Sequence, residues 1–196
     1  MTRQIGILFA GVIILVAAGI IVFTSGVFKP AQQAALVGGP FVLSDQTGRR
    51  VDEKALKGKW SAVFFGYTYC PDVCPGTLQA LTTVSDQLGP RAAKFQIVFV
   101  SIDPARDKPD VIKGWLDVNQ APPGTLGLTG SAEQTTTVTK AYKVFVQKKG
   151  DGANYLMDHS AYIYLMDPKG RFVKVIPYNL PPDEITTQIV KAMRGD

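Results

Sequence analysis

The sequence predicts an α/β domain, with helices packed on a partly parallel sheet, behind one apolar segment long enough to cross a bilayer. Three observations carry that expectation. Short apolar runs alternate with helix-periodic stretches through residues 60–119. Two later apolar runs flank the turn Asp167-Pro168-Lys169-Gly170. Residues 5–23 hold no charged side chain and reach about 28 Å at the helical rise.

The elements follow in order. Residues 1–28 read as an uncleaved anchor, because the apolar run is longer than a signal core and no Ala-x-Ala site follows it closely. Residues 29–39, rich in Ala, Gln, Gly and Pro, read as a linker, and residues 40–196 as the folded domain. Phe41, Val42 and Leu43, then Gln46-Thr47-Gly48 and Val51, predict an N-terminal β-hairpin. The run 60–67 is apolar and too short for an independent helix, so it is a buried strand. Pro75 opens a helix carrying Leu78, Leu81, Val84 and Leu88 at helical spacing, stopped by Gly89-Pro90.

A second buried strand covers 95–102, and a helix over 110–119 presents Val111, Trp115 and Leu116 to the sheet before Pro122-Pro123-Gly124. Ser131 caps a further helix, with Glu133 complementing its dipole. Residues 161–165 and 172–176 form an antiparallel hairpin, and a helix over 182–193 closes the chain. Strand, helix, strand, helix, then hairpin and terminal helix is the order of a thioredoxin-like sandwich.

The formal charge of +5 is a mild basic bias. No block of five Lys or Arg residues and no zinc-finger or RNP-like pattern occurs, which argues against nucleic acid as a partner.

The chain has two cysteines, Cys70 and Cys74, in Thr68-Tyr69-Cys70-Pro71-Asp72-Val73-Cys74-Pro75 between the first buried strand and its helix. Backbone N–H groups at a helix start stabilise a thiolate, which attacks disulfides or binds a soft metal. A structural disulfide is the bland alternative, but closing so short a loop constrains the unfolded chain little. An oxidising compartment suits such a pair, which places the domain outside the cytoplasm.

The single histidine, His159, precedes the second-half hairpin. In a thioredoxin-like arrangement the loop before that hairpin lies across the helix N-terminus from the cysteine loop, which brings the imidazole within bonding distance of both sulfurs. Two thiolates and an imidazole make a soft three-coordinate set suited to copper, Cu(I) included, whereas structural zinc wants four protein ligands. Around these residues alternatives stay open. Asp158 orients the imidazole or caps a turn; Met157 is a thioether ligand or, on the simpler reading, packing; Tyr67 and Tyr69 shield the site or pack; Asp72 is an extra ligand, a partner contact or a helix-entry residue. Arg106, Lys108 and Lys113 read as a solvated approach to a helix.

The stretch from Thr68 to Leu78, then Val100-Ser101-Ile102-Asp103-Pro104 with Arg106-Asp107, then Asp158-His159 with Tyr164-Leu165-Met166-Asp167-Pro168-Lys169-Gly170, closely resembles the Sco/SenC family of cytochrome oxidase assembly proteins. The three motifs and the anchor cover nearly the whole chain. The resemblance implies that Cys70, Cys74 and His159 hold one Cu(I) or Cu(II). It also implies delivery of that copper to the CuA centre in cytochrome c oxidase subunit II, reduction of that centre's cysteines, or both. A copper donor protein is then a second partner. The expected place is the bacterial inner membrane with the domain in the periplasm, ahead of the mitochondrial inner membrane. The competing classes are a thiol-disulfide oxidoreductase working through Cys70 and Cys74, and a redox or copper sensor.

Overall fold

The computed structural model describes residues 37–195. The expected anchor 1–28 and most of the linker lie outside them. Among the described residues no helix is long and apolar enough to cross a membrane. At Gly38 the chain is already docked, its N–H donating to the Ala141 carbonyl at 2.9 Å.

The strands are β1 (Val42–Asp45), β2 (Arg50–Asp52), β3 (Trp60–Gly66), β4 (Phe95–Ser101), β5 (Leu126–Thr129), β6 (Val146–Lys149), β7 (Leu156–His159), β8 (Tyr162–Met166) and β9 (Phe172–Pro177). The α-helices are α1 (Val73–Gln87), α2 (Pro109–Val118), α3 (Ala132–Ala141) and α4 (Pro182–Arg194). Seven strands form one sheet in the order β2-β1-β5-β4-β3-β8-β9, while β6 and β7 pair with each other in a separate ribbon. β3 runs parallel to β4, and β4 to β5; β8 and β9 return antiparallel on the far side of β3.

Both faces of the central strands are covered, so residues 62–65 of β3 and 97–100 of β4 read as unbroken apolar runs. Val63, Phe65, Val98 and Val100 point to one face with Val138 of α3 and Tyr142, the residue that follows that helix. Ala62, Phe64, Ile97 and Phe99 point to the other, against Leu78 and Leu81 of α1, Ile112 of α2 and Ile185 of α4. The N-terminal hairpin, the parallel pair, the late hairpin and the terminal helix stand where the sequence puts them. Ser131 does cap α3, through a reciprocal box in which Gln134 is the partner: Gln134 N–H donates to Ser131 Oγ and the Gln134 side-chain oxygen accepts from Ser131 N–H.

One five-residue device is used twice. In Asp45-Gln46-Thr47-Gly48-Arg49 and Asp167-Pro168-Lys169-Gly170-Arg171 the aspartate Oδ1 accepts two backbone N–H bonds, its Oδ2 pairs with the arginine, and the glycine takes a positive φ of 82° or 76°. These turns fix the register of β1–β2 and β8–β9.

Two elements were not expected. β5 is only four residues and contains Gly127, whose missing side chain lets Ile112 and Leu116 of α2 lie on the strand. The β6–β7 ribbon is mostly exposed and mixes Lys, Gln and Asp, so its apolar alternation is faint. His159 is therefore the last residue of a strand in its own hairpin, not part of a loop leading into β8.

Candidate metal centre

β3 ends at Gly66, and Tyr67, Thr68 and Tyr69 carry the chain round to Cys70. This approach is anchored by Asp107, which is fully buried. Its carboxylate accepts from the Thr68 N–H at 3.1 Å, the Thr68 hydroxyl at 2.6 Å and the Ser101 hydroxyl at 2.6 Å, and its carbonyl accepts from Thr129 at 2.7 Å. Burial pushes the Asp107 carboxyl up, and the hydroxyl and amide donors only partly offset it. Asp107 thus ties the cysteine loop to the ends of β4 and β5.

Cys70 is half-buried, and Cys74, one residue into α1, is buried at 1% exposure. The Cys74 N–H donates to Cys70 Sγ at 3.4 Å. With the Cys74 thiol as the largest influence and the Asp72 and Cys74 amides adding to it, the Cys70 thiol is lowered to about 5. The Cys74 thiol moves the other way, because it donates to Cys70 and is shut from water. The pair is free dithiol, one sulfur acidic and accessible, the other protonated and buried.

His159 approaches from β7. Its Nδ1 lies 3.0 Å from the Ser160 carbonyl, an acceptor, so Nδ1 carries the proton and Nε2 keeps its lone pair. That Nε2 faces Cys74 Sγ at 3.9 Å. At that separation the sulfur and the nitrogen could both bind one soft metal ion. The imidazole also meets the buried Tyr67 ring edge-on, with centroids 6.3 Å apart. Among the described residues no three His, Cys, Asp or Glu side chains are gathered round one point as they stand. Cys74 and His159 face each other, and Cys70 stands at the helix start beside them.

The neighbours sort out differently from the sequence expectation. Asp158 neither orients the imidazole nor caps a turn: it is paired with Gln147 in the ribbon and forms an exposed ion pair with Lys149 at 3.6 Å. The orienting group is the Ser160 carbonyl, which no side-chain motif could announce. Met157 is partly buried and packs against the core. Asp72 is the residue before α1 and makes no capping bond. Tyr67 is buried and Tyr69 is 60% exposed. Lys108 and Lys113 are solvated as expected, but Arg106 is not. Its side chain is 14% exposed, paired with Asp103, and stacked on tyrosines. Sequence reading missed it because, Asp103 apart, its partners come from the distant cysteine loop and from the turn before β7.

The SCO1/SenC family model matches residues 29–194. The protein SCO1 homolog 1, mitochondrial, of Arabidopsis thaliana is 38% identical over 167 residues, covering 84% of this chain and 49% of that protein, so the chain spans about half of its length. The crystal structure of Arabidopsis thaliana ScoI with copper bound superposes with a TM-score of 0.76 at 38% identity, over 82% of this chain and 99% of that one. Bradyrhizobium japonicum ScoI with copper bound gives a TM-score of 0.72 at 40% identity, over 79% and 98%. Family model, relative and solved structures agree on the fold and on one family: the chain belongs to the SCO1/SenC family.

Proposed function

We propose that this chain is a membrane-anchored copper metallochaperone that carries one copper on Cys70, Cys74 and His159 and serves assembly of the CuA centre of cytochrome c oxidase. The observation that carries the reading is the facing pair Cys74 Sγ and His159 Nε2, 3.9 Å apart, beside the acidic Cys70. Copper-bound relatives at 38% and 40% identity support copper as the cargo. The uncharged run 5–23 supports an anchor over 1–28, followed by a linker over 29–39 and a domain over 40–196, and the cysteine pair, suited to an oxidising compartment, supports placing that domain at the outer face of the bacterial inner membrane.

In this reading Cys70, already a thiolate near neutral pH, is the first sulfur to meet the metal. Cys74 gives up its proton on binding, and His159 enters through Nε2 without losing one, because the Ser160 carbonyl holds the proton on Nδ1. Three protein donors leave a side open to an incoming acceptor thiolate, so copper received from a donor protein passes to subunit II by ligand exchange.

The same pair supports a second reading, favoured by the split thiol acidities. Cys70 thiolate attacks an acceptor disulfide and displaces one of its sulfurs; Cys74, losing its proton, then attacks Cys70 and releases the second. The acceptor gains two electrons and the one proton that Cys74 gives up, its second proton coming from solvent water, and the chain ends as a Cys70–Cys74 disulfide.

The test is titration of the reduced full chain in mild detergent with Cu(I) and Cu(II), beside His159→Ala and a Cys70→Ala, Cys74→Ala double variant. One copper per chain, weakened by His159→Ala and abolished by the double variant, is expected. Copper binding no stronger than that of the double variant, with disulfide reduction intact in His159→Ala, would replace the carrier by a reductase.

A further inference from the structure

The β6–β7 ribbon that carries His159 is not hydrogen-bonded into the seven-stranded sheet, so something else must hold the imidazole toward Cys74. Beyond the packing of Met157 and a contact of the Tyr67 phenol with the Met157 backbone, the polar ties converge on Arg106. Its Nη1 donates to the Ala153 carbonyl at 3.2 Å and the Tyr155 carbonyl at 3.0 Å, both in the turn that precedes β7. Its Nε donates to Asp103 Oδ2 at 2.5 Å, and the Tyr155 hydroxyl donates to the other oxygen of that carboxylate at 2.6 Å. The guanidinium carbon lies 3.6 Å from the Tyr155 ring centroid and 4.6 Å from that of Tyr69, the neighbour of Cys70.

We propose that Arg106 is a positioning residue that clasps the His159 hairpin to the cysteine loop and so sets the approach of His159 Nε2 to Cys74. It touches neither metal nor sulfur. The chemistry needs an arginine: only a planar fork stacks between two rings while bonding a carboxylate on one edge and two carbonyls on the other. Lysine keeps the charge and loses the fork. Its consequence for copper rests on the ligand set proposed above, whereas its consequence for the hairpin does not.

The experiment therefore has a metal-free and a metal-loaded arm, both on the reduced full chain in detergent, with Arg106→Gln and Arg106→Lys. In the metal-free arm, amide hydrogen exchange at residues 156–159 is expected to quicken at least tenfold in both variants, with exchange in β3 and α1 unchanged. In the loaded arm, Cu(II) affinity is expected to fall about ten- to hundredfold, the range for groups that orient a metal ligand. The nitrogen hyperfine signal of His159 should weaken with it. In a His159→Ala background the same Arg106 substitutions should cost no further affinity. Unchanged hairpin exchange, or an affinity loss of equal size with and without His159, overturns the clasp. Absence of copper binding in the parent chain overturns the carrier reading alone, and the exchange data then decide the clasp by themselves.

Discussion

Gly66 ends β3 beneath the cysteine pair, and a single methyl placed there tests how tightly the buried sulfur is held. A Cβ at residue 66 would lie 2.7 Å from Cys74 Sγ and 3.1 Å from Phe99 Cε2. Ordinary contact begins at 3.4 Å, so the sulfur must withdraw by about 0.7 Å, the difference between 3.4 and 2.7 Å. Cys74 is 1% exposed, and close-packed surroundings leave the sulfur little room to retreat. Overpacking of this kind costs about 1–3 kcal/mol, which lowers the Tm of a domain this size by about 2–12 °C. Ten residues on, Gly76 lies in α1 with nothing within 4 Å of its would-be Cβ. There the same substitution removes helix-interior backbone freedom and stabilises by about 0.5–1 kcal/mol.

The assay is thermal unfolding of the reduced, metal-free proteins, with Gly66→Ala, Gly76→Ala, Cys74→Ala and Gly66→Ala/Cys74→Ala side by side. Gly66→Ala should lower Tm while Gly76→Ala raises it. Without the Cys74 sulfur most of the Gly66→Ala penalty should disappear, leaving only the milder contact with Phe99. A Gly66→Ala protein as stable as the parent, or a penalty equal in both backgrounds, would refute the reasoning.

Cys70 alkylation by iodoacetamide should titrate with a midpoint near 5, and Cys74→Ala, which removes the largest donor to the Cys70 sulfur, should raise it; a midpoint near 9 in the parent would contradict the assigned hydrogen bonds. At Asp45 and Asp167 burial pushes the carboxyl up, but donors at residues 47 and 49, and at 169 and 171, outweigh it and hold both below the usual 3.8. Their stabilisation is then complete above pH 3.8 and is lost as pH falls through the lower folded value, so Asp45→Asn/Asp167→Asn should flatten the acid limb of a stability-versus-pH curve. That double variant should also cost about 1–3 kcal/mol per site at pH 7 in denaturant unfolding. Ser131→Ala removes the α3 cap and should cost about 1 kcal/mol in the same measurement.

Much of this architecture was legible because its signals are local. The apolar runs of β3 and β4, the Gly48 and Gly170 turns and the Ser131 cap are each written in a few consecutive residues, and backbone sterics allow them few outcomes. Cys70 and Cys74 could be singled out the same way, since their chemistry depends on the helix start at Val73 that lies between them.

What the sequence left undecided depended on partners distant along the chain. A strand of four residues such as β5 is chosen by what it pairs with, and the polar β6–β7 ribbon carries almost no periodicity of its own. Asp158 stands next to His159 in sequence, yet strand alternation turns it outward to Lys149 and leaves a backbone carbonyl to orient the ring. Arg106 looked like one more solvated cation because its tyrosines and carbonyls come from segments far along the chain. Composition and local pattern therefore determined the elements and the reactive residue types. Only the tertiary structure decided which nitrogen faces which sulfur, and what holds it there, since those contacts exist only when separate segments are packed together.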